Sequence, residues 1–305
     1  MEAHAAHPAT PRAPRAGIRL PGVGAGLGRG FVVLYLSVLV LLPLAALTSK
    51  AFSKGLNNFW DQITTPGAIN SLELTLVASL IVVVINGFFG TILAWLLVRD
   101  DSPGKAIVNA VIDLPFALPT IVASLILIEL WGNKSPVGID LSLSRTAVVV
   151  ALMFVTLPFV VRAVQPLLIE MDREMEEAAA SLGAGGFTIF RKIIFPNLLP
   201  GLAAGVALAF ARALGEFGSV LLFAGGLADT QVSSVYIKQL IETGNESGAA
   251  AVSVVLLFAS MVVLALVSLI QRWGSRHERS SGGGLTIMPL SGEMPTAKED
   301  DDERQ

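Results

Sequence analysis

The 305-residue chain contains no cysteine. Disulfides, thiol chemistry and cysteine-ligated metals are thereby excluded, while the compartment stays open. Histidine is almost as scarce: His4, His7 and His277 all lie in polar terminal stretches. No HExxH pair for zinc and no GxxxxGK[ST] loop for nucleotide phosphates occurs, so any ATP the protein uses must be bound by another chain. Charge is sparse as well. Asp, Glu, Lys and Arg make up 15% of the residues, against about 25% in an ordinary soluble domain. A net charge of −3, with no basic stripe interleaved with aromatics, argues against a nucleic-acid partner.

What the chain has instead is apolar residues, 53% of the total, gathered in blocks. About 20 consecutive apolar residues cross a bilayer as a helix, because lipid offers the backbone no hydrogen-bond partner. The first block, "FVVLYLSVLVLLPLAAL", runs from Phe31 to Leu47. It reads as a span rather than a cleaved leader, since its polar lead is long and no small-x-small site follows. Further spans are expected at Leu74–Val98, Ala106–Leu130, Thr146–Val161, Leu198–Ala224 and Ala249–Ile270. The fold class is therefore an all-α polytopic membrane bundle of about six helices. Arg212 and Glu216 interrupt the fifth block, so a count of seven stays open.

The layout that follows is an unstructured tail over 1–30, a membrane domain over 31–273 and a second unstructured tail over 274–305. Six spans put both tails on one side. Thirteen Lys and Arg flank the spans on that side and five on the other, which makes the tail side cytoplasmic. The loop between the fourth and fifth spans, about 166–197, then hangs into the cytoplasm. On the opposite face "VSSVYIKQLIE" has the spacing of a short surface helix.

That cytoplasmic loop carries "EEAAASLGAGGFTIFRKIIFP", Glu176 to Pro196. Asp172 is placed to cap a helix whose first turns hold Glu174, Glu176 and Glu177, where the helix dipole favours negative charge. Met175, Ala179 and Leu182 fall on one narrow apolar face, and Gly183 suits a left-handed stop. A second short helix should present Phe187, Phe190 and Ile194 before Pro196 stops it. By periodicity alone, this hairpin either covers the bundle or offers its slim alanine surface to another protein.

Its spacing resembles the "EAA" loop of ATP-binding-cassette importer permeases: EAA, three residues, G, nine residues, I, one residue, LP. Glu177, Ala178, Ala179, Gly183, Ile193 and Pro196 match, and Phe195 replaces the leucine. In that family the loop docks on the ATP-hydrolysing subunit. The resemblance thus implies coupling roles for Glu176, Glu177, Ala178, Ala179, Ser181, Gly183, Ile193 and Pro196.

"DLPFALPT", "LPFVVRAVQP" and "FARALGEFGSVLLFAGG" are similar to permeases of the sulfate, thiosulfate and molybdate group, and the wording over Phe31–Trp273 most resembles the CysT type. That family implies a type I importer fold in the inner membrane and transport of sulfate or thiosulfate by alternating access. Its implied partners are a CysW-type second permease, CysA-type ATPases holding ATP and magnesium, and a periplasmic sulfate-binding protein. This chain itself is expected to bind no cofactor and to be no enzyme. Alternatives are a permease for molybdate or another oxyanion, and a secondary anion transporter driven by an ion gradient.

Ionisable residues at membrane depth are site candidates by default. Arg212 and Glu216 stand four apart on one helical face and can pair. Together with Ser219 they are assigned to the translocation pathway, Arg212 as a donor to a dianion. The competing reading is an ion pair that locks the fifth span to a neighbour. Asp113, just ahead of Pro115 and Pro119, which should kink its helix, is expected to be structural, and Asn86 to bond between helices.

Overall fold

A computed structural model describes residues 23–100 and 103–281. Among these residues all regular structure is helical. The chain runs α1 (Val23–Leu36), a π turn (Ser37–Leu41), α2 (Leu42–Ala51), α3 (Leu56–Ile63) and the long α4 (Pro66–Arg99). Then come α5 (Lys105–Ala117), α6 (Thr120–Trp131) and α7 (Arg145–Glu170). The hairpin follows as α8 (Arg173–Ser181), α9 (Gly186–Ile189) and a π turn (Phe190–Ile194), leading into α10 (Phe195–Leu214). Last are α11 (Gly218–Phe223), α12 (Ser233–Glu242) and α13 (Glu246–Ser281).

Five helices among the described residues are long and apolar enough to cross a membrane: Gly28–Ala51, Pro66–Arg99, Arg145–Glu170, Gly186–Leu214 and Glu246–Leu269. The remaining expected span, Ala106–Leu130, is two short helices. Pro119 forces its predecessor out of the helical region, and Leu118 accordingly sits at φ −95°, ψ 136°. The fifth block breaks as well, between Leu214 and Gly218, so that α10 and α11 are separate.

Helices α4, α7 and α10 make the central packing unit. One buried cluster joins Val82, Ala151, Leu152, Ala213 and Phe223 towards α11 and α12, and a second joins Val83, Val160, Val164, Leu198 and Phe210 towards the hairpin. Two contacts fix the waist between them, the second as expected. A Cβ on Gly90 would stand 3.0 Å from Val160 Cγ1, so glycine permits the close α4–α7 approach. Asn86 Nδ2 donates to Met153 O at 3.0 Å and to Thr156 Oγ1 at 2.9 Å, satisfying a polar group that is wholly buried.

Residues 23–30 and 274–281, expected in unstructured tails, are helical extensions of α1 and α13. The rest of both tails, 1–22 and 282–305, lies outside the described residues. The short surface helix expected from "VSSVYIKQLIE" is α12. It is pinned to α4 where Ser233 N donates to Thr75 Oγ1 at 2.8 Å and where the hydroxyls of Tyr236 and Thr65 stand 3.2 Å apart.

Candidate functional site: the hairpin and its seat on the bundle

The hairpin forms for local reasons. Asp172 Oδ1 accepts from Glu174 N at 2.9 Å, capping α8, and Glu174 and Glu176 occupy its first turn. Gly183 has φ +85°, the left-handed conformation that closes a helix. The closing bonds are Gly183 N to Ala180 O at 2.9 Å and Ala184 N to Ala179 O at 3.0 Å. A Cβ on Gly183 would meet nothing within 4 Å, so its glycine answers to backbone conformation and not to space.

The second limb departs from expectation at Pro196, which does not end the helix. A π turn over Phe190–Ile194 precedes it, closed by Phe195 N on Phe190 O. Proline lacks a donor and its ring crowds the preceding turn; the wider turn lets α10 begin with proline in its first turn, where no donor is needed. The hairpin is therefore continuous with α10.

The second limb packs Ile189, Phe190 and Ile194 on the bundle, but the first limb leaves apolar surface uncovered, unlike a covering helix. Leu182 is 89% exposed, Phe187 77% and Met175 47%, so the apolar stripe looks away from the bundle. Glu177, Ala178, Ser181 and Gly183 share the outer side, whereas Ala179 is half-buried. Glu176 turns inward and pairs with Arg99 at the end of α4. The Arg99 and Glu176 side chains are only 12% and 20% exposed. The Arg99 guanidinium lies 5.5 Å from the centre of the Trp95 ring, and its Nε is buried without an acceptor. Trp95 in turn meets Phe190 edge-on, with ring centres 6.2 Å apart. Ile193 is half-buried and Pro196 exposed on the second limb.

Deeper in the chain, Arg212 and Glu216 do pair: Nη1 lies 2.5 Å from Oε2, close in distance but without hydrogen-bond direction. Glu216 is buried. Its Oε1 accepts from Ser219 N at 2.8 Å, satisfying the first turn of α11, and its carbonyl accepts from Ser234 Oγ. Ser219 is buried and its hydroxyl has no partner among the described residues. The hairpin residues thus gather on one protrusion, while Arg212, Glu216 and Ser219 form a separate cluster at the α10–α11 break.

Two features escaped the sequence reading. Arg99 counted only as a flanking charge, although a cation in the last turn of a span, beside Trp95, is a signal for a seat. Arg162 was likewise a topology marker. It grips Asp113 through Nε (2.9 Å) and Nη2 (2.5 Å), and also reaches Asn109 Oδ1 and Gln165 Oε1. The partner of Asp113 is thus a helix away, on α7.

Residues 86–279 match the family model described as binding-protein-dependent transport system inner membrane component. The chain is 43% identical over 253 residues, 80% of its length and 88% of the relative's, to the sulfate transport system permease protein CysT of Synechocystis. The corresponding protein of Salmonella typhimurium is 40% identical over 266 residues, covering 84% of this chain and 95% of that one. Among solved structures, a chain of a bacterial alginate ABC transporter superposes with a TM-score of 0.69 at 16% identity, over 82% of this chain and 93% of that chain. A chain of the inward-facing MetNI methionine ABC transporter gives 0.51 at 23% identity, over 67% and 96%. Those two likenesses establish the fold.

Proposed function

The chain belongs to the binding-protein-dependent transport system inner membrane component family, and on that premise we propose that it is the permease subunit through which an ATP-driven importer moves sulfate or thiosulfate across the inner membrane. It works with a CysA-type ATPase, which holds ATP and magnesium, a CysW-type second permease and a periplasmic sulfate-binding protein. No nucleotide is bound or hydrolysed on this chain. Both tails and the hairpin face the cytoplasm, a reading supported by the excess of Lys and Arg on that side.

The observation that carries this reading is the uncovered apolar surface of the hairpin. An apolar stripe of Met175, Leu182 and Phe187 left facing outward, with the carboxylate of Glu176 turned in, is costly in water and suits a surface covered by another protein. Closure of the ATPases pushes this protrusion, and the helices continuous with it re-pack between inward-open and outward-open arrangements. The dianion meets weak donors on the way, because tight binding would slow its release. Arg212, a third exposed beside its buried partner, is the donor within the pathway, and Glu216 with Ser219 holds it at the α10–α11 break.

The test is uptake of labelled sulfate by the complex in proteoliposomes. Uptake that requires ATP and the binding protein, and that thiosulfate competes, supports the reading. Preferential competition by molybdate reassigns the cargo. Uptake that survives without ATP and collapses with an ion gradient makes the protein a secondary transporter instead.

A further inference from the structure

The reading above, on which the following rests, leaves open how a push on the hairpin reaches the membrane helices. Both limbs of the hairpin end on the same turn of α4. The first limb is tied by charge, through Glu176 and Arg99. The second is tied by aromatic contact, through Phe190 on Trp95, with the Phe195 ring tilted against Phe190 at 6.0 Å. Arg99 stands between the two, because its guanidinium lies over the Trp95 ring. With its side chain 12% exposed, this pair is screened little by water or salt, so the attraction holds when the hairpin is displaced. The Arg99 Nε has no acceptor among the described residues.

The far end of α4 is fastened too. Thr65, just before its first residue, meets Tyr236, and Thr75 bonds Ser233, both on α12. Between the two ends α4 is unbroken over 34 residues, about 50 Å of helix. Halfway along, Asn86 holds it to α7 through Thr156 and Met153. A rigid rod fastened at both ends and pinned at its middle transmits a displacement from one face to the other.

We propose that Arg99 is the positioning residue that couples the hairpin to α4, and that α4 carries the movement to α12 on the outer face. Glu176 accordingly serves the joint and does not contact the ATPase, which meets Glu177, Leu182 and Phe187 on the opposite side.

Because the chain has no cysteine, Ile241→Cys gives a single thiol on α12 at a position 57% exposed. In the complete complex, its labelling rate by an impermeant maleimide is compared with and without a non-hydrolysable ATP analogue. The parent is expected to change at least about fivefold, the low end for coupled sites. Arg99→Glu and Glu176→Arg should each abolish that change while the ATPase still co-purifies, and the double swap should restore it. Where a reversal fails to assemble, Arg99→Gln and Glu176→Gln leave one charge less to bury, and their loss of the change is the same evidence. An unaltered change in the single variants, or a double swap no better than either in an assembled complex, overturns the proposal. The readout needs no cargo, so a parent that responds to the analogue but takes up no sulfate refutes the assigned substrate and keeps the joint.

Discussion

Arg212 Nη1 lies 2.5 Å from Glu216 Oε2, a guanidinium one-third exposed against a carboxylate sealed to 1%. Removing one member of such a pair leaves the other uncompensated, which costs about 3–5 kcal/mol when the remaining charge is buried. Arg212→Gln should therefore lower the unfolding temperature of the purified complex sharply. Arg212→Gln combined with Glu216→Gln should recover most of that loss, because the amide oxygen can still accept from Ser219 N. Sulfate uptake by the double variant then isolates the role of Arg212 as a donor. Uptake is expected to fall at least about tenfold even though folding is restored, about 1.4 kcal/mol or more of lost stabilisation.

Gly183→Val and Gly183→Asn separate backbone conformation from volume. Open space surrounds the position, but φ is +85°. A β-branched residue is a genuine outlier there, whereas asparagine visits this region at small cost. Valine should re-aim the hairpin and uncouple ATP hydrolysis from uptake while insertion stays normal, and asparagine should remain coupled. Hydrolysis and uptake measured in parallel in proteoliposomes check this.

Leu182→Ser and Phe187→Ser remove apolar surface that is mostly exposed among the described residues. The permease should keep its thermal stability within about 0.5 kcal/mol, as surface substitutions do. Co-purification of the ATPase should nevertheless be lost, because truncating an anchor at an interface centre costs about 2 kcal/mol or more. Retained co-purification of both variants would move the docking surface elsewhere.

Asp113 and Arg162 test a different connection. The pair is two-pronged, but its side chains are 47% and 34% exposed. Exposed pairs are weak, so a double-mutant cycle of Asp113→Asn and Arg162→Gln should give a coupling energy of about 1 kcal/mol or less. A larger value would mean that the joint between α5 and α7 is desolvated when the second permease is in place.

The hairpin was legible in the sequence because its determinants are local. Asp172 caps two residues ahead, Gly183 stops the helix it follows, and the glutamates fall in the first turn where the dipole favours them. Its apolar stripe was legible as well, but not the side it faces, which depends on Arg99 drawing Glu176 inward across 77 residues of chain. Composition located the spans. The division of Ala106–Leu130 was written in Leu118–Pro119 but hidden by the unbroken hydropathy around it. Pro196 misled in the opposite direction: proline stops an ordinary helix, and no periodicity announces the π turn that accommodates it. Pairings between distant helices, Arg162 with Asp113 and Thr75 with Ser233, have no signature along the chain.

Coupled import requires that the hairpin be cytoplasmic and held by a nucleotide-hydrolysing partner. Ser181→Cys, the only thiol in the protein, tests this most directly. Labelled with a short photo-cross-linker in membranes containing the whole complex, it should react from the cytoplasmic side alone and capture the ATPase subunit. Labelling from the outer face, or capture of no nucleotide-binding protein in an assembled complex, would contradict it.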